Sequence, residues 1–315
     1  MSALAERGEI EITVPASVAN LGPGFDVLAV AVQLYLRLKV RAIEGRNELR
    51  FNFIGQQLKG DNYIERAFNF LARQHSGSFP SLEVDVHCDI PIRSGLGSSA
   101  AATVAGLRLY EAIMEPMQAR DLLNAAVALE GHPDNVSAAL LGGMTASCQL
   151  PDGSTSAVSM PWPASLCLIV ATPEYNLSTS AARSVLPERV SRHDAVFNLQ
   201  RMAHLLHALQ SEDFSLLHEA LSDRLHQPHR QKLIPGLDQA LMLDHPDILG
   251  VCLSGAGPSI VCFATQSFSE IERMLANIYE GLGLPYQVRT LAVHRNDEAP
   301  VSEVPPNEPD PSVFA

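Results

Sequence analysis

No long apolar run occurs in this chain. None of its uncharged stretches reaches the ~18 residues that a membrane-spanning helix needs, so no helical span is expected. Basic residues are in deficit: 22 Lys and Arg face 35 Asp and Glu, a formal net charge of −13. That balance argues against nucleic acid as a partner, because phosphate backbones are held by an excess of Lys and Arg. It leaves room for a nucleotide bound locally. Cysteine is sparse and scattered. Cys88, Cys148, Cys167, Cys252 and Cys262 are odd in number and form no Cys-x-x-Cys pair. This speaks against a zinc site or a disulfide framework and for buried free thiols in a reducing compartment. Near the start, Glu6 and Arg7 stand where a signal peptide would need an apolar core, so the sequence predicts a cytoplasmic protein. No internal repeat is present. What remains is ordinary globular material, 46% hydrophobic and 18% charged over 315 residues. At that length two domains are the natural expectation.

A lysine is also missing from the most informative segment, Ile92-Arg93-Ser94-Gly95-Leu96-Gly97-Ser98-Ser99-Ala100-Ala101-Ala102. The alternating run before it, residues 82–88, predicts a strand. The Ala-rich run after it, with Ala100, Val104, Leu107 and Met114 in an apolar stripe, predicts a helix. A strand, a Gly/Ser loop and a helix start make an anion site, because free N–H groups and the helix dipole both favour a phosphate there. Without a lysine it is not the Walker-type loop. Backbone amides, the hydroxyls of Ser98 and Ser99, and a metal ion would have to carry the charge. Ser98 reads equally as a plain N-cap, and Gly95 and Gly97 as turn glycines.

Elsewhere, strands are expected over 10–14 and 34–40, the second ending in a turn at 44–47. Helices are expected over 62–73, 120–130 and 134–141, the middle one stopped by Gly131 and Pro133. Turn-rich residues 151–156 and 161–163 mark a boundary, giving an N-terminal domain over 1–163 and a C-terminal domain over 164–295. The second half reads as a strand (166–171), helices across 179–226, a helix at 236–243, strand–turn–strand over 249–264, a helix (268–280) and a strand (286–293). That mixture is α+β. From Asn296 to residue 315, Pro and acidic residues dominate and predict a disordered tail.

The glycine loop resembles the second motif of the GHMP kinase superfamily, which includes galactokinase and the homoserine, mevalonate and phosphomevalonate kinases. Two other stretches are similar to its remaining motifs: Pro15-Ala16-Ser17-Val18-Ala19-Asn20-Leu21-Gly22-Pro23-Gly24-Phe25-Asp26 and Leu253-Ser254-Gly255-Ala256-Gly257-Pro258-Ser259-Ile260-Val261. The first looks like the spelling used by homoserine kinases, and Glu130-Gly131-His132-Pro133-Asp134-Asn135-Val136 points to the same branch. The matches span residues 15–263 in the family's order. The resemblance implies a ribosomal-protein-S5-like N-terminal domain, a ferredoxin-like C-terminal domain and an active site between them. It further implies phosphorylation of the side-chain hydroxyl of L-homoserine, with ATP as co-substrate and Mg2+ as cofactor. Small molecules would be the partners, with no nucleic acid and no membrane, and a homodimer remains open.

Residue by residue, the resemblance places ATP along Pro91, Ile92, Arg93, Ser94, Gly95, Leu96, Gly97, Ser98, Ser99, Ala100 and Ala101, with Asn62 toward the adenine. Asn62 alone would read as another N-cap. Glu130, at the end of its helix, meets the negative dipole end at a cost of roughly 0.3–1 kcal/mol. It reads either as a solvated helix-end residue or, with Ser99, as the family's magnesium seat. Asp134 reads as an N-cap or as a substrate-positioning residue with base character, and Asn135 as orienting the reacting hydroxyl. An amino-acid alcohol needs an anion for its ammonium, which Asp26 with Asn20 could supply. It needs a planar cation for its carboxylate, for which Arg183 and Arg230 are candidates; the plain alternative is a solvated surface Arg. Thr179 reads equally as a plain N-cap and His132 as a structural turn residue; in the family the Thr179 hydroxyl lies near the transferring phosphate, His132 contacts substrate, and Gly257 belongs to a hairpin turn packed against the phosphate loop. Arg93 stands where many relatives carry Gly. His193, His204, His207 and His218 read as surface residues. Two other functions compete: another small-molecule kinase of mevalonate type, disfavoured by Asp26 beside two Arg, and a non-catalytic ligand sensor, disfavoured by the retained Ser99, Glu130 and Asp134.

Overall fold

The computed structural model describes residues 8–55, 60–75 and 77–296. Glu6, Arg7 and the expected tail beyond residue 296 lie outside them. β1 (Glu9–Ala19) starts with alternating exposure and then buries its last six residues. It pairs antiparallel with β2 (Leu28–Arg46), from Glu9↔Arg41 to Ala19↔Ala29. β2 is far longer than the strand expected at 34–40. Its first five residues, Leu28 to Val32, are buried on both faces, so they carry no alternation to read. At its other end it runs to Arg46, through a register shift after Ile43, where the sequence predicts a turn.

β3 (Leu49–Ile54) lies parallel to β4 (Pro80–Cys88), which pairs antiparallel with β2. The hairpin of β5 (Met144–Gln149) and β6 (Thr155–Met160) completes a six-stranded sheet in the order β3-β4-β2-β5-β6, with β1 also on β2. The turn residues at 151–156 mark the tip of that hairpin; its half-exposed strands escape the sequence pattern. Four helices cover the sheet: α1 (Tyr63–Gln74), α2 (Ser98–Ile113), α3 (Ala119–Glu130) and α4 (Asp134–Leu141). These follow the predicted spans to within about two residues, because long 3.6-residue periodicities are the clearest signals in a sequence. α2 packs against α1, α3, α4 and β1. That arrangement gathers the start of α2, the end of α3 and the start of α4 in one place.

The second sheet is antiparallel throughout: β7 (Cys167–Pro173), β8 (Gly250–Leu253), β9 (Ile260–Ala264) and β10 (Tyr286–Leu291), in the order β10-β7-β9-β8. The helical region after β7 divides into α5 (Thr179–Ser184), α6 (Arg192–Ser211), α7 (Leu217–Ala220), α8 (Gln227–Arg230) and α9 (Leu237–Leu241). α10 (Phe268–Leu282) buries Ile271, Leu275, Ile278 and Tyr279 on one face and packs against β7 and β10. The last described residues return to the first sheet. Gln33 N–H donates to the Ala292 carbonyl at 3.0 Å, and His294 N–H to that of Ala31 at 2.9 Å. Asn296, expected to open a disordered tail, donates through Nδ2 to the Leu141 carbonyl at 2.7 Å.

All five cysteines are free. Cys252 and Cys262 are buried, whereas Cys148 is exposed, so the expectation of buried thiols holds for only part of the set. Among the described residues no helix is long and apolar enough to cross a membrane.

Candidate active site

The glycine loop joins β4 to α2, as predicted, but the cap differs by one residue. Gly97, with φ +69 and ψ +29, is the N-cap, and Ser98 is the first helical residue. A left-handed cap suits glycine and denies Ser98 the geometry to cap with its side chain. The N–H groups of Ser98, Ser99 and Ala100 precede the first helical bond, from Ala101 N–H to the Gly97 carbonyl at 2.8 Å. They are the unspent donors of a helix start. Both glycines are also required by crowding. A Cβ on Gly95 would collide with the Ser254 carbonyl and come within 2.9 Å of that of Gly257; one on Gly97 would collide with Ser17 Oγ.

Those contacts come from the two other motifs. The turn between β8 and β9 grips the loop through Ser254 Oγ donating to the Gly95 carbonyl (2.7 Å) and Ser259 N–H donating to that of Ser94 (2.9 Å). Ser17 N–H holds the Leu96 carbonyl at 3.1 Å. Three segments distant in sequence therefore meet at one loop. They enclose a cleft of ≈ 630 Å³. Phe53, Asn62, Tyr63, Val86 and Ile92 line one end, the loop residues its middle, and Asp26, His132, Asp134, Asn135, Thr179, Arg183 and Arg230 the other. Asn20, Arg93 and Gly257 line it too. Pro91, Ser94, Leu96, Ala101 and Glu130 do not. Ser94, Leu96 and Ala101 are buried behind the loop, Ser94 Oγ donating to the Pro91 carbonyl at 2.7 Å.

Glu130 ends α3, as expected, with Gly131 as its left-handed C-cap. Its carboxylate reaches across to α2, accepting from Ser99 Oγ and Thr103 Oγ1, each at 2.8 Å. Those partners argue against a merely solvated helix end. Thr103 was not singled out by the sequence, although it lies one turn from Ser99 on the same helix face.

Asp134 is not an N-cap: Pro133 holds that position and Asp134 is the first residue of α4, 2% exposed. Its Oδ1 accepts from Asn135 N–H (2.8 Å) and lies 2.9 Å from His132 Nδ1. Burial pushes the His132 pKa down, but the bond and charge of Asp134 outweigh it, and the pKa stands above its usual value. Asn135 Oδ1 accepts from Ser17 Oγ at 2.8 Å, which fixes the amide's orientation. Thr179 is likewise not a cap; Ser178 caps α5, accepting from Ala181 N–H at 3.1 Å. The Thr179 hydroxyl is left to the cleft. Asn62, by contrast, is the cap the sequence suggests, accepting from Ile64 and Glu65 N–H at 3.1 and 3.2 Å.

Arg183 and Asp26 face each other in a bidentate pair, Nη1–Oδ2 at 3.0 Å and Nη2–Oδ1 at 2.6 Å. The bond to Asp26 holds the Arg183 pKa above its usual value. Asn20 serves the loop itself. Its Oδ1 accepts from Asp26 N–H at 3.1 Å and its Nδ2 donates to the Gly255 carbonyl at 2.9 Å. Arg230 is no surface residue: it is 1% exposed. Its Nε donates to the Ala182 carbonyl and its Nη1 to that of Gly255, both at 3.0 Å. Burial, followed by the nearby charge of Arg183, lowers its pKa to about 10, so it remains cationic at neutral pH.

Behind Arg230 lies a network that sequence reasoning passed over. Asp223 accepts from Leu225, His226 and Gln227 N–H and from Asn198 Nδ2. His226, fully buried, lies 2.8 Å from the Gly22 carbonyl through Nε2 and 3.2 Å from Arg230 Nη1 through Nδ1. Its ring stacks on Phe25 at 5.2 Å. Burial lowers its pKa, so it is neutral; donation from Nε2 to Gly22 then leaves Nδ1 to accept from Arg230. The run from Asp223 to Arg230 carries Asp223, His226, Gln227 and Arg230 within eight residues, a density of polar side chains that could have marked it.

The sheets, the glycine loop and the carboxylates around it define a GHMP-type small-molecule kinase. Residues 62–143 match the family model for the GHMP kinase N-terminal domain, and residues 205–281 that for the C-terminal domain. Homoserine kinase from Solibacter usitatus is 39% identical over 281 residues, covering 87% of this chain and 91% of its own. That from Clostridium botulinum is 36% identical, covering 91% and 96%. The crystal structure of homoserine kinase from Cytophaga hutchinsonii superimposes with a TM-score of 0.81 at 28% identity, over 91% of this chain and 95% of that one. Methanococcus jannaschii mevalonate kinase, at 15% identity and a TM-score of 0.69, shares the fold. The chain belongs to the homoserine kinases of the GHMP kinase family, with its S5-like first domain and ferredoxin-like second.

Proposed function

We propose that this chain transfers the terminal phosphoryl group of ATP to the side-chain hydroxyl of L-homoserine, a step toward threonine in the cytoplasm. One observation carries the substrate class: the end of the cleft beyond the phosphate loop presents a carboxylate, Asp26, and two guanidiniums, Arg183 and Arg230. An ammonium and a carboxylate on one small molecule match those charges, whereas mevalonate has no ammonium. The relatives' names point the same way.

Phosphoryl transfer depends on positioning and charge neutralisation more than on covalent help. The apolar end beside Asn62 and Tyr63 suits the adenine, and the free N–H groups of Ser98, Ser99 and Ala100 suit phosphate oxygens. Ser99 Oγ and Glu130, 2.8 Å apart, fit Mg2+, which takes one or two protein oxygens and fills the rest of its sphere with phosphate and water. Among the described residues no cluster of three or more His, Cys, Asp or Glu competes with that seat. When bound, the ion supplies neutralisation of the phosphate charge.

At the acceptor, Asn135 Oδ1 accepts from Ser17 Oγ and one Nδ2 hydrogen goes to Asp134 Oδ1 at 3.4 Å, so the amide would meet the substrate hydroxyl as a donor through the other Nδ2 hydrogen. Asp134 Oδ1 is spent on His132 and Asn135, which leaves Oδ2 to accept the hydroxyl's hydrogen bond and to take its proton. Thr179, which also lines the cleft, would place its hydroxyl near the transferring group. The test is ADP release by the purified protein with Mg2+ and each of homoserine, mevalonate and galactose. Release with homoserine is expected. ADP formation with mevalonate or galactose and none with homoserine would overturn the assignment.

A further inference from the structure

The two oxygens of the Glu130 carboxylate are held by different parts of α2. Oε2 accepts from Ser99 Oγ and Oε1 from Thr103 Oγ1, each at 2.8 Å. Ser99 lines the cleft; Thr103, one turn further along the helix, does not and is 1% exposed. Oε2 therefore lies on the cleft side of the carboxylate and Oε1 on the core side. A helical threonine often turns its hydroxyl back on the carbonyl one turn earlier. Thr103 sends it instead to Glu130, on another helix. The backbone around Glu130 is pinned as well. Arg66 Nη2 donates to the Leu129 carbonyl at 2.6 Å, and Gly131 N–H donates to that of Val127 at 2.8 Å.

We propose that Thr103 is a positioning residue that keeps Glu130 a one-oxygen ligand and so tunes the seat toward Mg2+ over Ca2+. This rests on the reading of Ser99 and Glu130 as the Mg2+ seat given above. Mg2+ is small, demands a tight octahedron and takes few protein oxygens, whereas Ca2+ is larger and readily accepts both oxygens of one carboxylate. With Oε1 engaged on the core side, Glu130 presents only Oε2 beside Ser99 Oγ. Without the Thr103 hydroxyl, Oε1 loses its partner and the carboxylate is free to turn both oxygens to one ion. The hydroxyl acts through Glu130 and touches neither ion nor substrate. Groups that fix a ligand's orientation in this way carry a large share of a site's metal affinity.

The experiment is titration calorimetry of the full chain with ADP in excess Mg2+, in excess Ca2+ and in EDTA, which reads the ion through nucleotide affinity and without turnover. Thr103→Val keeps the side chain's shape and removes the hydroxyl. It should cut the preference for Mg2+ over Ca2+ about tenfold, chiefly by weakening binding with Mg2+. Thr103→Ser keeps the hydroxyl and should hold the wild-type preference. Affinity in EDTA should be the same for all three proteins. Thr103→Ala makes the same test if the valine variant does not fold. An unchanged preference without the hydroxyl overturns the proposal. So does a loss that is equal with both ions and in EDTA, or one that serine fails to restore, because each is what a merely structural threonine would give. Glu130→Gln separates this inference from the reading beneath it. If that variant keeps the wild-type response of ADP binding to Mg2+, the seat itself falls and the role of Thr103 with it. If it loses that response while the variants without the Thr103 hydroxyl keep their ion preference, the seat stands and only the role of Thr103 falls.

Discussion

The two ends of the cleft are built from different material. The end proposed for the nucleotide is backbone: N–H groups at the start of α2, carbonyls gripped by the β8–β9 turn, and glycines whose missing side chains permit the approach. The end proposed for the acceptor is side chain: Asp26 on Arg183, Asp134 on His132, and a buried chain from Asp223 through His226 to Arg230. A backbone site is robust to most truncations and breaks when an atom is added. A side-chain site breaks when an atom is taken away. The contrast can be tested from either side.

Adding one methyl group at Gly95 should have the largest effect. The Cβ would meet two backbone carbonyls, of Ser254 and Gly257, that no rotamer change can move, and Gly95 has φ +84. Overpacking together with left-handed strain should destabilise Gly95→Ala by about 3 kcal/mol or more. Removing a hydroxyl from the same loop, in Ser98→Ala, should change stability by less than about 1 kcal/mol. Urea unfolding of the two variants decides it. Equal stability for both would mean that the loop is not backbone-built.

Glu130 is where the two building styles meet, a side chain bonded to Ser99 and Thr103 at the start of α2. Glu130→Gln preserves shape and can keep contact with Ser99 and Thr103, so the fold should survive. Losing the carboxylate should lower kcat about tenfold and raise the Mg2+ concentration needed for half-maximal rate. Steady-state kinetics across a Mg2+ series measures both. Unchanged turnover with an unchanged Mg2+ requirement would move the metal seat elsewhere.

The same contrast explains what the sequence made legible. Spacing reveals helices α1 to α4 and the loop between β4 and α2, because glycine and periodicity are local signals. The start of β2 is hidden because a strand buried on both faces has no alternation. The caps at Gly97, Pro133 and Ser178 each fall one residue before the polar residue that composition favours. A Ser, Asp or Thr at the first helical position looks like a cap until backbone angles are known. Asp26 stands in a recognisable motif, and Arg183 and Arg230 are candidates by their charge, but the mutual arrangement of the three is not written in the sequence. Nothing local in either segment shows that Asp26 and Arg183 bond across 157 residues, or that Arg230 is buried. Asp223 and His226 form their network only in the fold, through partners as distant as Asn198 and Gly22.

A small effect belongs to His132 and depends on pH. Its pKa is raised above 6.5 in the folded protein because the bond and charge of Asp134 overcome the burial that lowers it. A raised folded-state pKa means the folded protein holds the proton more tightly than the unfolded chain. The pair therefore contributes its full stability below about pH 6.5 and loses it as pH rises through the folded-state value. Gln in place of His132 can still donate to Asp134 but does not titrate. Wild type should exceed His132→Gln by about 1 kcal/mol near pH 6, the scale of one hydrogen bond. The margin should narrow between pH 6 and about pH 9, as the imidazole loses its proton. Chemical denaturation at the two pH values measures the difference. A margin that grows with pH would show that His132 is held as the neutral form, and that Asp134 draws its orientation from Asn135 alone.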